Sequence, residues 1–102
     1  MSQKVTEDLK IILDKMTMTK LKFSHTFEES NLLKMIEGVN LKEYNFKGSN
    51  LELTLSNEGD VQKMNYDLDK VVVSYLKNKD EIIGFSILDN NAFKWKYELQ
   101  NN

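Results

Sequence analysis

The first part of the chain has apolar residues at helical spacing. Residues 3–17 place Val5, Leu9, Ile12, Leu13 and Met16 on one stripe, with charged residues between them. This spacing predicts an amphipathic helix whose apolar side packs against the rest of the protein.

The next segment predicts a short strand and then a second helix. Residues 18–25 alternate, with Leu21 and Phe23 on the same side. Thr26–Glu29 has the spacing of a capping box, which favours a helix from Phe27 to Glu37. The face expected to pack inwards holds Leu32, Leu33, Ile36 and Val39.

Alternation and turn lengths beyond Tyr44 predict six antiparallel strands. Gly48-Ser49 suits a two-residue turn that places Phe46 opposite Leu51 and Tyr44 opposite Leu53. A four-residue loop at 57–60, a two-residue turn at Asp69-Lys70, a five-residue loop at 77–81 and a three-residue loop at 89–91 keep the large side chains on one face. Asp-Lys is a poor dipeptide for such a turn, so this connection is the weakest of the series. The expected rows are Phe46, Leu51, Tyr66, Val73, Phe85 and Trp95, and Tyr44, Leu53, Met64, Tyr75, Ile83 and Tyr97.

These elements together predict an α+β fold. An N-terminal helix, a short strand and a second helix pack on a curved six-stranded antiparallel meander. We expect a single domain over residues 1–102, with an ordered core at about 2–99.

Composition narrows the chemistry. The 102 residues include no Cys, Pro or Arg, so all 14 basic residues are Lys, and the net charge is −2. Disulfides, thiolate metal sites, thiol catalysis and bidentate guanidinium contacts are therefore excluded. His25 is the only histidine, and we expect it to be a partly buried structural residue or a surface residue rather than a general base. We expect no catalytic residues, no metal and no cofactor, and nucleic acid is not an expected partner.

No apolar run is long enough for a membrane span, so we expect no membrane partner and a cytoplasmic location. The many Lys and Asn residues without Arg are associated with AT-rich coding sequences. This association favours a low-GC bacterium or a phage-infected host cell as the source.

Two groups of residues are candidates for binding. The outer face of the strands at 70–76 and 82–88 is expected to carry an apolar patch that another protein could contact. This candidate protein interface consists of Val72, Leu76, Ile82 and Leu88. On the concave side, Tyr44, Tyr75 and Tyr97 are a candidate ligand pocket if the sheet curls away from the helices.

The leading hypothesis is a small non-catalytic protein-binding module. Such a protein would be a bacterial or phage inhibitor, immunity or adaptor protein that acts by protein–protein contact. The alternatives are a small-molecule binder that uses the concave sheet face, and a phage structural or assembly subunit. A homo-oligomer remains open.

Overall fold

The computed structural model describes residues 3–27, 32–90 and 93–100. They form one helix, α1, and seven strands. The elements are α1 (Gln3–Thr17), β1 (Leu21–Phe27), β2 (Leu32–Lys47), β3 (Asn50–Asn57), β4 (Asp60–Asp67), β5 (Val72–Asn78), β6 (Glu81–Leu88) and β7 (Phe93–Leu99).

Helix α1 confirms the first prediction, and its apolar stripe enters the core. Leu9, Ile12, Leu13 and Met16 have no exposed surface. The side chain of Val5 lies outside the described residues. The helix packs against β2 and β6, so it lies on the concave side of the sheet.

The predicted α+β fold with a six-stranded meander is wrong. The fold is mostly β, with seven antiparallel strands in one sheet of order β4-β3-β2-β1-β7-β6-β5. The segment predicted as a second helix, Phe27 to Glu37, instead contributes the end of β1 and the start of β2. Within the predicted capping box, Glu28 and Glu29 lie outside the described residues.

The pairing partners of β2 explain why residues 32–37 are extended rather than helical. Its first half pairs with β1, from Leu32 opposite Phe27 to Val39 opposite Leu21. Its second half pairs with β3. Near the end of the first half, where the register with β1 shifts between Ile36 and Val39, Gly38 adopts a φ of 73°, which suits glycine because it has no Cβ. The strand is long because it pairs with β1 along its first half and with β3 along its second, and this pairing overrides the helical spacing of its first residues.

The turn predicted at Asp69-Lys70 does not join neighbouring strands. β4 and β5 stand at opposite edges in the sheet order, so the predicted pairing of Tyr66 with Val73 is wrong. A short link instead carries the chain from one edge to the other, with the Leu68 amide donating to the Ser49 carbonyl at 2.8 Å.

The predicted registers are confirmed for the β2–β3 and β3–β4 pairs and are shifted for the β5–β6 and β6–β7 pairs. Phe46 is opposite Leu51, and Leu53 is opposite Met64, as predicted. Val73 and Tyr97, however, pair with Ile87 and Phe85, each two positions from the expected partner. A shift of two keeps each side chain on its face, so most of the predicted apolar side still points inwards.

The sheet curls so that its distant strands meet across the core. The ring centroid of Tyr66 on β4 lies 5.3 Å from that of Trp95 and 6.3 Å from that of Tyr97, both on β7. The core comprises Leu9, Ile12, Leu13, Met16, Leu21, Phe23, Val39, Leu41, Leu51, Leu53, Leu55, Tyr66, Leu68, Phe85, Ile87 and Tyr97.

Gly84 gives a direct test of the close approach between β6 and β7. A Cβ at this position would collide with the carbonyl oxygen of Tyr97 and would lie 2.9 Å from the Glu98 Cα. Because both obstacles are backbone atoms, we expect Gly84→Ala to lower the free energy of unfolding by roughly 1–3 kcal/mol. Urea denaturation measures the change, with Ser86→Ala on the same strand as control. Equal stability of the two variants would contradict the packing.

Candidate functional site

The candidate protein interface lies mainly on the outer face of the β5–β6 hairpin. Val72 is 61% exposed and pairs directly with Leu88. Val73 and Tyr75, which alternate with the outward residues of β5, pack against the core. A methyl group of Leu76 would lie 3.1 Å from a Cβ on Gly84, so the leucine covers the gap that this glycine leaves.

Ile82 is the exception among the four predicted interface residues. It packs against the hydrophobic core. The register of the hairpin shifts between Leu76 and Lys77, where Gly84 and Ile82 are the successive partners on β6. The irregularity reverses the alternation near the hairpin tip.

The outer surface of the hairpin has no charged side chain along its regular part. We call this surface the hairpin face; it consists of Val72, Ser74, Leu76, Gly84, Ser86 and Leu88. Ser86 is only 6% exposed and Gly84 has no side chain, so the β6 part of the face has little relief.

Charged residues border this face along β7. Lys94, Lys96 and Glu98 are opposite Leu88, Ser86 and Gly84. The Lys96 ammonium lies 3.5 Å from the Glu98 carboxylate, and both side chains are partly exposed. An uncharged centre beside a charged rim is the usual composition of a protein contact surface.

The three tyrosines of the candidate ligand pocket make separate contacts. Tyr44 donates a hydrogen bond to Asp14 on α1, which raises the pKa of its phenol to about 12. Tyr75 is partly buried against the core, and burial, helped by the negative charge of Asp8, raises its pKa to about 12. Two different acids of α1 therefore influence these two tyrosines.

Tyr97 lies deeper than the other two. It is 1% exposed, stacks on Phe85 with ring centroids 4.8 Å apart, and shares a hydrogen bond between its hydroxyl and that of Tyr66. Burial raises the pKa of both phenols well above the usual value. The hydrogen bond between these two hydroxyls lies within the core. The cavity that Tyr44 lines is not lined by Tyr75 or Tyr97.

A different cavity has an apolar floor. It has a volume of about 160 Å³ and lies where β1, β2 and the β3–β4 hairpin meet. Its lining consists of Phe23, Ile36, Val39, Leu55, Ser56, Asn57, Asp60 and Gln62. The sequence does not predict this cavity, because three separate segments form it and because Ile36 falls within the predicted helix from Phe27 to Glu37.

His25 lies beside aromatic residues of β1 and β7. It is half-buried on β1 opposite Trp95, and its ring centroid is 6.1 Å from that of Phe23. In the described part of the chain, no three His, Cys, Asp or Glu residues form a group that could hold a metal ion. Nor is any helix in that part long and apolar enough to cross a membrane.

The hydroxyl pair yields a stability prediction. Tyr66→Phe or Tyr97→Phe leaves the remaining buried hydroxyl without its partner, so each should lower the free energy of unfolding by about 1–3 kcal/mol. The double variant should lose less than the sum, because both polar groups are then gone. Urea denaturation of all four proteins measures this. Strictly additive losses would contradict a direct bond.

The same pair predicts an alkaline loss of stability. Unfolded tyrosine ionises near pH 10, whereas the folded protein holds both phenols neutral to higher pH. The unfolded state therefore binds fewer protons above about pH 10, and stability should fall as the pH rises further. Urea midpoints across this range should fall less steeply in the double phenylalanine variant. Equal slopes would show that the pair is not responsible.

Comparisons with protein-family models, with curated proteins and with solved structures find no match to this chain.

Proposed function

We propose that this chain is a non-catalytic protein-binding module that contacts its partner through the hairpin face. The observation that carries the proposal is the uncharged outer surface of β5 and β6, on which Val72 is 61% exposed. Inhibitors, immunity proteins and adaptors act in this way, by covering a surface of another protein. A bacterial or phage protein of this kind fits the lysine-rich composition.

The distribution of charge supports the choice of surface. On β2 and β3, by contrast, charged residues such as Glu43 and Glu52 alternate with inward ones. Removing a charged group from water without a partner costs free energy, so such surfaces are poor contact centres. The hairpin face avoids this cost, and its partly exposed aliphatic side chains gain from burial.

The concave side gives no comparable support to a small-molecule role. Helix α1 fills it with four fully buried side chains. Tyr44 is bonded to that helix, and Tyr97 is bonded to Tyr66. The tyrosines therefore do not surround a common space, and the protein-contact proposal is the better supported one.

Leu88→Lys tests the proposal because it adds a charge to the hairpin face while leaving the β5 edge intact. Val61→Lys is the matched control, since Val61 is 64% exposed on β4, in a different part of the sheet. Each protein is used as bait in a lysate of a low-GC bacterium. The urea midpoint of each bait confirms its folding.

We expect wild type and Val61→Lys to retain the same stoichiometric partner. Leu88→Lys should weaken its affinity at least about tenfold, as measured with the purified partner. Equal binding by both lysine variants would exclude the hairpin face as the contact surface. The absence of any partner that survives washing on the wild-type bait would count against the function itself.

A further inference from the structure

Strand β5 is an edge strand with an unusually unprotected sequence. It pairs with β6 on one side, and no strand within residues 3–27, 32–90 and 93–100 pairs with its other side. Its regular part, Val72–Leu76, has no charged residue and no proline. Edge strands normally carry such residues because an open row of backbone donors and acceptors would otherwise pair with another chain.

The opposite edge strand is protected in the usual way. β4 carries Asp60 and Asp67 at its two ends and Lys63 between them. If two copies of β4 paired antiparallel in full register, Asp60 of each would lie opposite Asp67 of the other. Like charges directly opposite each other destabilise such a pair.

The side chains of β5 are instead compatible with antiparallel pairing to β5 of a second copy. An antiparallel pair centred on Ser74 places Val72 opposite Leu76 on the outer face and Val73 opposite Tyr75 on the inner face. Ser74, a small exposed residue, meets itself at the two-fold axis. This register keeps outward residues with outward ones and opposes no like charges.

We propose that two copies of this chain associate by antiparallel pairing of β5 with β5 around Ser74. The two hairpin faces then form one continuous uncharged surface across the axis, which stays open to a further partner. The inference goes beyond the proposed function and does not require that function to be right.

The size of the contact sets its strength. Five paired residues span about 17 Å at the usual rise per residue of a strand. Such a contact falls short of a standard interface, which buries about 800 Å² on each partner. We therefore expect a reversible dimer with a dissociation constant in the micromolar range.

Substitutions at the axis test the proposal without altering Leu88. In Ser74→Lys, two ammonium groups would meet across the axis, and in Ser74→Glu two carboxylates would meet. A mixture of the two variants would place opposite charges together. Sedimentation velocity on the purified full chain, from about 1 μM to about 1 mM, measures the average mass of each sample.

We expect the wild-type mass to rise with concentration towards that of two chains. Each Ser74 variant alone should need at least about tenfold higher concentration than wild type to reach the same average mass. In an equal mixture of the two variants, the concentration needed should fall to within about threefold of the wild-type value. Val61→Lys on β4 should behave as wild type.

A wild-type chain that stays monomeric throughout would overturn the proposal, as would a larger assembly. So would a mixture that associates no better than its separate components, or a loss of association in Val61→Lys. Because Leu88→Lys probes the hairpin face away from this edge, failure of the dimer and failure of the partner contact can be told apart.

Discussion

The burial of helix α1 against the concave side of the sheet is the contact on which the rest of the fold depends. Leu9, Ile12, Leu13 and Met16 are completely enclosed. Each such side chain contributes about 1.5–3 kcal/mol on burial, which is substantial beside the small net stability of a domain of this size. With that side filled, the tyrosines become packing groups, and the outer surface is left for contacts with other molecules.

Local patterns predicted the parts of the fold whose contacts are local. Helix α1 follows from its apolar stripe, and the β2–β3 and β3–β4 hairpins follow from short turns joined to alternating residues. The second helix was wrong because its apolar residues fit helical spacing, whereas their extended form comes from pairing with β1, which no glycine-containing turn sequence in residues 28–31 indicates. Asp69-Lys70 is a poor dipeptide for a hairpin turn, but its sequence does not indicate that β4 and β5 lie at opposite edges of the sheet.

The candidate surface could be predicted to a similar extent. Alternation placed Val72, Leu76 and Leu88 together, and a two-residue shift in register leaves that placement intact. Ile82 departs from the pattern because of an irregularity near the hairpin tip, which the assumed five-residue loop concealed. The separation of Tyr44, Tyr75 and Tyr97 depends on where α1 lies, and the cavity beside Phe23 depends on three segments coming together.

The two proposals together make one side of this molecule, the uncharged hairpin face and the β5 edge beside it, the surface through which it contacts other chains. Backbone amide hydrogen exchange at low and high protein concentration tests this claim most directly, because it reports on each strand separately. The account predicts slower exchange in β5 at high concentration and unchanged exchange in β4. Concentration-independent exchange in β5, or slowing confined to β4, would contradict it.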